Sequence, residues 1–383
     1  MIIEIRKAGF VNKGAELMLL SVLDRLGMAL PNASFTMVPT ASREDTPQPI
    51  ERIMRAGLYP KISVYRMGHE LADIARLIPE RLRRRYGLIM DHEVNAVVDA
   101  AGFTYSDQWG SSSAQELAYF SQRWRKQGTK VVLMPQAFGP FEGHKIREHM
   151  RRAVDNCDLI FAREKTSYDH LTSVVGERPY IQVAPDFTNL LPGVVPDEFD
   201  GCECRVALVP NYRMIDKTGP SSSTAYLPFM IQCAKYLLEH SQKPFVLVHE
   251  GVPDSLLAEE ISREAGGIPI VSESDPRKIK GILGSCYATI GSRFHGLVSA
   301  LSQGVPSLAT GWSHKYKELF SDYGFGEGVL NLEEDWDSAA AQIDEIVDPE
   351  GNTQIRVLLG ERGKRIKAEA EGMWSLVIET LES

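Results

Sequence analysis

The sequence predicts an α/β protein built as two Rossmann-like domains facing a cleft, on three grounds. The chain has 383 residues, more than one hydrophobic core usually organises at roughly 150 residues per domain. Its dominant rhythm is a short apolar run, a polar turn and an amphipathic stretch, the pattern of βα units around a parallel sheet. That rhythm breaks after Asp186, in FTNLLPGVVPDEFDGCEC, where two prolines and a lack of periodicity mark a connector. The expected domains are residues 1–190 and 204–349, with a helical segment over 350–383 that is free to pack back across the junction.

In chain order, the first-half strands fall at Met1–Ile5, Ser34–Val38, Ile62–Tyr65, Ala96–Ala100, Lys130–Met134 and Leu159–Ala162. Between them, Leu17, Leu20, Val22, Leu23 and Leu26 recur at helical spacing within Gly14–Ala29, and Glu116–Trp124 repeats the pattern. The second half reads as strand Val206–Val209, helix Tyr226–His240, strand Phe245–His249, helix Ser255–Ala265 and strand Ile268–Val271. It continues with helix Pro276–Leu283, strand Ala288–Ile290, helix Phe294–Gln303 and strand Ser307–Ala309.

Hydrophobic residues at 43% and charged residues at 24% are ordinary for a globular chain and argue against disorder. Glu4 stands within the first five residues, and no apolar run approaches the ~20 residues that span a bilayer. No signal peptide or transmembrane helix is expected, and a cytoplasmic location follows. Five cysteines, an odd number, suggest a reducing compartment rather than a disulfide framework. Cys202 and Cys204 form a lone C-x-C, read as an inert connector, so no metal is assigned. The net charge of −9 disfavours nucleic-acid binding, so an anionic ligand must be held by a local cluster of donors.

Such a cluster is predicted in ATIGSRFHGLVSALSQGVPSLATGWSHKY, residues 288–316. Gly291 turns the chain after a strand, Ser292 is placed to cap a helix, and Arg293 and His295 fall in its first turn. A helix N-terminus favours anions; Arg293 adds a planar fork, and His295 adds a proton that titrates near neutrality. One strand later Ser313 is placed to cap a second helix carrying Lys315. If the two strands are neighbours, Arg293, His295 and Lys315 converge at one carboxyl edge, where open α/β sheets bind ligands; taken singly, Arg293 and Lys315 read rather as surface residues and His295 as a helix N-terminal residue.

Gly291-Ser292-Arg293-Phe294-His295-Gly296, with Ala300, Gly304-Val305-Pro306 and Lys315-Tyr316, resembles the C-terminal signature of the polysaccharide pyruvyl transferases. Asn12-Lys13-Gly14-Ala15-Glu16, Gln136-Ala137-Phe138-Gly139-Pro140, Arg163-Glu164 with Ser167, and Pro185-Asp186 match further pieces in family order. Asp99-Ala100-Ala101-Gly102-Phe103 stands where many relatives have a glycine-rich turn, and Phe294 replaces a commoner leucine. The resemblance implies a glycosyltransferase-B-like fold, with phosphoenolpyruvate held in the second domain and a sugar acceptor between the domains. It implies Arg293 and His295 at the donor, with Arg213 as a second arginine.

The chemistry implied is pyruvate ketal formation: a proton to the methylene carbon of phosphoenolpyruvate, attack by a sugar hydroxyl on the adjacent carbon, and departure of phosphate. His295 is the expected acid, and Arg293, Arg213 and Lys315 are the expected anion donors. No cofactor is required. Asn12 and Gly14 read either as ligand contacts or as a plain helix cap. Asp107 reads either as a residue facing the cleft or as an exposed turn residue. The basic run Arg81, Arg83, Arg84 and Arg85 reads as a solvated helix face or as a contact with an anionic membrane carrying a lipid-linked acceptor. Two other functions share this layout: a nucleotide-sugar glycosyltransferase, and a binding protein without turnover.

Overall fold

The computed structural model describes residues 1–10, 12–39, 49–66, 69–203, 205–311, 314–332 and 335–383. The chain divides into two compact units, one of Met1–Val11, Met18–Phe187 and Ala370–Ser383, the other of Asn12–Leu17 and Thr188–Glu369. Each is Rossmann-like, with a parallel sheet and helices in its connections.

The first unit contains β1 (Ile2–Arg6), β2 (Ser34–Met37), β3 (Tyr59–Ile62), β4 (Tyr65–Arg66), β5 (His69–Glu70), β6 (Ile89–Met90), β7 (Ala96–Asp99), β8 (Lys130–Gln136), β9 (Leu159–Ala162) and β10 (Ile181–Val183). Eight of them form a sheet in the order β10-β9-β8-β7-β1-β2-β3-β6, and β4 pairs antiparallel with β5. The central strands are buried along their length, which is why Ile3, Ile5, Val97, Val98, Val131 and Val132 read as apolar runs. Polar residues of the same sheet are buried too, among them Glu4, Thr36 and Lys61. Lys61 Nζ donates to Glu4 at 2.5 Å and to Asp91 at 2.7 Å. Asp91 also accepts from Arg123 Nε at 2.6 Å and from the Trp124 indole at 3.0 Å. Burial alone would raise the Asp91 pKa; Lys61, Trp124 and Arg123 outweigh it and hold the carboxyl at about 2.

The second unit contains β11 (Val206–Val209), β12 (Pro244–Val248), β13 (Ile270–Ser272), β14 (Ala288–Gly291) and β15 (Ser307–Ala309), all parallel, in the order β13-β12-β11-β14-β15. From β11 the chain builds outward through β12 to β13, then returns to the other side of β11 with β14 and β15. Such a reversal leaves a crevice at the carboxyl ends of the two strands that flank it. The connector after the first unit lies hard against the Pro276–Ser285 helix, where a Cβ on Gly193 would sit 2.6 Å from the Gly281 nitrogen. Lys280, buried, donates to the Thr188 carbonyl at 2.6 Å and fastens the same contact.

Several element bounds differ from the sequence expectation. The third strand is Tyr59–Ile62 rather than Ile62–Tyr65, β12 stops at Val248 and leaves His249 beyond the strand, and the helix after β14 ends at Leu301. The last helix is continuous over Pro349–Glu382. Among the described residues no helix is long and apolar enough to cross a membrane. Cys204, half of the C-x-C pair, lies outside the described residues, as does Ser313, the expected cap of the helix carrying Lys315.

Candidate functional site

The carboxyl edge of the second sheet is tied together where its strand order reverses. Asn211, just past β11, donates from Nδ2 to the Ser292 carbonyl at 2.8 Å, and its backbone N–H donates to Tyr226 Oη at 2.9 Å. Ser292 is not the cap expected of it. Its N–H continues the ladder to Val209 O at 3.0 Å, so its hydroxyl turns inward to Tyr226 Oη at 2.7 Å and to Thr310 Oγ1. Arg293 occupies the N-cap of the Phe294–Leu301 helix and makes no side-chain cap bond. Arg293 is thus turned away from the helix start, and helix starts present backbone N–H groups that draw anions. Burial pushes the Tyr226 hydroxyl up to about 12, so it stays a neutral hydrogen-bonding group beneath the edge.

The Arg293 guanidinium grips Asp254 with Nε and Nη2 at 2.8 and 2.6 Å, and Nη1 donates to Glu250. These bonds engage three of its five N–H donors. Asp254 is fully buried and also accepts the Tyr212 N–H at 3.0 Å. The arginine is thus a charge already compensated and rigidly oriented, which its place in the sequence does not reveal. Both carboxylates come from the segment after β12, and His249 comes from the same place. A Cβ on Gly296 would lie 3.4 Å from His249 Cδ2, so the imidazole backs the start of the Phe294–Leu301 helix. It is buried, and its Nδ1 lacks a hydrogen-bond partner among the described residues. Burial first, then the charges of Arg293, His295 and Lys13, hold its pKa well below the usual histidine value, which keeps it neutral near pH 7.

His295 is met by the first turn of the Lys13–Ala29 helix. A Cβ on Gly14 would collide with the His295 ring, coming within 2.9 Å of its Cγ. Gly14 is therefore glycine because the imidazole lies against its backbone. Asn12 caps this helix, with Oδ1 accepting the Ala15 N–H at 2.7 Å. Lys13 donates to the Ser274 carbonyl beyond β13 and to Glu16 at 3.0 Å. From the His314–Asp322 helix, Lys315 Nζ stands 5.4 Å from the Phe294 ring centroid and 5.2 Å from that of Tyr316, within cation–π range.

Arg293, His295, Lys315, Asn12 and Gly14 thus gather at one edge, and β14 and β15 are the parallel neighbours that the convergence requires. Arg213 begins a short helix after β11, but its guanidinium folds onto Asp216 at 2.5 Å in a half-exposed pair. Asp107 belongs to the first unit, where its carboxylate accepts the N–H groups of Glu142 and Gly143 and fastens the turn before the His144–Val154 helix. Sequence reasoning missed His249, Glu250 and Asp254. Their signal was VLVHEGVPD, polar residues placed directly after an apolar strand.

The two-domain architecture is of the glycosyltransferase-B type, as similar solved structures show. The structure of Anabaena Alr3699/HepE in complex with UDP and glucose superposes with a TM-score of 0.60 at 12% identity, covering 100% of this chain and 99% of the other. The UDP-GlcNAc 2-epimerase from Neisseria meningitidis bound to UDP-GlcNAc gives 0.59 at 9% identity, covering 100% and 99%. A UDP-glucosyltransferase from Polygonum tinctorium capable of glucosylating indoxyl gives 0.57 at 14%, covering 100% and 98%. Among curated proteins none matches the chain in sequence. The family model of the polysaccharide pyruvyl transferases matches residues 12–314, and the chain belongs to that family.

Proposed function

We propose that this protein transfers a pyruvyl group from phosphoenolpyruvate to a sugar of a cell-surface polysaccharide or its precursor, forming a pyruvate ketal and releasing phosphate. The observation that carries it is the meeting of Arg293, His295, Gly14 and Lys315 at one strand edge, in a chain of this family. Residues 204–349 hold the donor, and residues 1–190 meet the acceptor.

In this reading His295, immobilised against Gly14, delivers its proton to the methylene carbon of the donor. A sugar hydroxyl adds to the adjacent carbon, and a second hydroxyl of the same sugar closes the ring as phosphate leaves. One hydroxyl proton restores His295, replacing the proton now in the new methyl group, and the other departs with phosphate. The first-turn N–H groups of the Phe294–Leu301 helix and Lys315 take the donor's phosphate and carboxylate, with Arg213 swinging from Asp216 to join them. Arg293 contributes the N–H donors directed away from Asp254 and Glu250. Fixed donors of this kind stabilise developing charge without reorganising. The chemistry calls for no cofactor, because the donor is already activated.

The UDP-bound structures that share the fold favour one second reading, a nucleotide-sugar glycosyltransferase using the same helix start for a diphosphate. Incubation with a panel of sugar acceptors and either phosphoenolpyruvate or UDP-sugars separates the two. Acceptor-dependent phosphate release from phosphoenolpyruvate is expected; UDP release instead would install the glycosyltransferase.

A further inference from the structure

We propose that the exposed face of the segment 77–86 in the first unit docks on an anionic lipid bilayer. The segment reads LIPERLRRRY and carries four arginines against one glutamate, in a chain whose net charge is −9. Charge alone would make it a solvated helix face. What changes the balance is the apolar surface that accompanies it.

Leu77 is 84% exposed, Tyr86 64%, and Ile78 and Leu82 stand exposed beside them. Leu82 and Tyr86, the latter the C-cap, lie four apart on the Glu80–Arg85 helix and share one stripe, with Arg81 and Arg85 four apart beside it; Leu77 and Ile78 precede the helix, before its Pro79 N-cap. Arg83 points the other way. It is buried, donating to Glu93 at 2.6 Å and toward the Ile78 carbonyl at 3.4 Å, and so it pins the segment with its apolar stripe outward. Arg84 is taken by Glu80 in an exposed pair of 2.6 Å, which leaves Arg81 and Arg85 as the basic partners of the stripe.

The surface extends beyond the helix. A Cβ on Gly87 would lie 3.0 Å from the Tyr59 ring, which places the half-exposed Tyr59 against the residue that follows Tyr86. Within the ten residues of the segment, four large hydrophobics are exposed: Leu77, Ile78, Leu82 and Tyr86. Single exposed apolar residues are ordinary, but a concentration of them marks an interaction surface. Arginines bordering leucine, isoleucine and tyrosine suit a lipid interface: the aliphatic groups enter the acyl boundary, tyrosine sits at headgroup level, and guanidinium groups meet anionic headgroups.

The test needs neither donor nor acceptor, so its outcome is separate from that of the transfer assay. Full-length protein is sedimented with vesicles of phosphatidylcholine alone or mixed with phosphatidylglycerol. Binding to the mixed vesicles is expected, weakening as salt rises. Arg81→Ala with Arg85→Ala should lower the affinity on the order of tenfold or more, at about fivefold for each arginine near the surface. Leu77→Glu with Leu82→Glu should abolish it while leaving the melting temperature unchanged, since both side chains are exposed. Absence of sedimentation with the mixed vesicles at low salt would overturn the proposal, as would variants that bind like the parent. Self-association by light scattering that disappears in the leucine variant, without vesicle binding, would assign the face to a second copy of the chain.

Discussion

At the scale of single residues, the candidate site is defined as much by an absent side chain as by those present. Gly14 leaves room for the His295 ring, and any Cβ there must displace it. A general acid contributes a hundredfold or more only when positioned, so two variants should behave alike for different reasons. His295→Gln removes the proton and should lower turnover by roughly a hundredfold, with donor affinity falling far less. Gly14→Ala keeps the proton and moves its carrier, and it should lower turnover in the same direction without loss of folded protein. Donor binding by calorimetry and single-turnover ketal formation, measured on both variants, separate binding from chemistry. Equal losses in binding and chemistry for His295→Gln would make the histidine a phosphate ligand only. Arg293 shows why residue identity alone misleads: GSRFHG suggests an anion-binding pattern, yet Asp254 lies 39 residues earlier and holds the same guanidinium. That partnership arises from the adjacency of β12, β11 and β14, and strand order is a property of the sheet that no local pattern encodes.

At the scale of elements, the parallel strands were legible wherever both faces are apolar, and β9, β11 and β15 fall where periodicity places them. The misplacement of β3 has a physical cause. Tyr59-Pro60-Lys61-Ile62 carries a proline and a lysine, both uncommon in buried strands, and the apolar content of the following residues draws the expectation forward. Lys61 is only 1% exposed, tolerable because Glu4 from β1 and Asp91 after β6 surround its ammonium group. A buried charge of this kind is costly to orphan, and removal of one partner typically costs about 3–5 kcal/mol. Lys61→Met should therefore destabilise the protein by about 3 kcal/mol or more in urea unfolding near neutral pH. A loss below about 1 kcal/mol would mean that water reaches the pair. Asp91 sets a pH signature for the same cluster. Its folded pKa of about 2 lies below the ordinary value near 3.9, so its contribution is complete above pH ~4 and disappears as pH falls toward 2.

At the scale of the whole molecule, two units with separate sheets carry one family signature from residue 12 to residue 314. The proposed donor residues all belong to the second unit, which takes in Asn12–Leu17 as well as Thr188–Glu369. A ligand bound only by the folded form stabilises it by mass action, by about 2.7 kcal/mol at a hundredfold excess over Kd. For a unit of this size that corresponds to a melting shift of roughly 5–10 °C. Phosphoenolpyruvate should produce such a shift in a thermal titration of the full chain, and Lys315→Ala should diminish it by removing one cation from the site. Two units need not unfold in a single step, so the shift is expected in the transition that reports the second unit, while a transition confined to the first should stay where it is. UDP tested in parallel decides between the two readings of this fold, because its diphosphate would use the same helix start as the phosphate of the donor. A shift with UDP and none with phosphoenolpyruvate would transfer the site to a nucleotide-sugar enzyme and leave the vesicle experiment untouched.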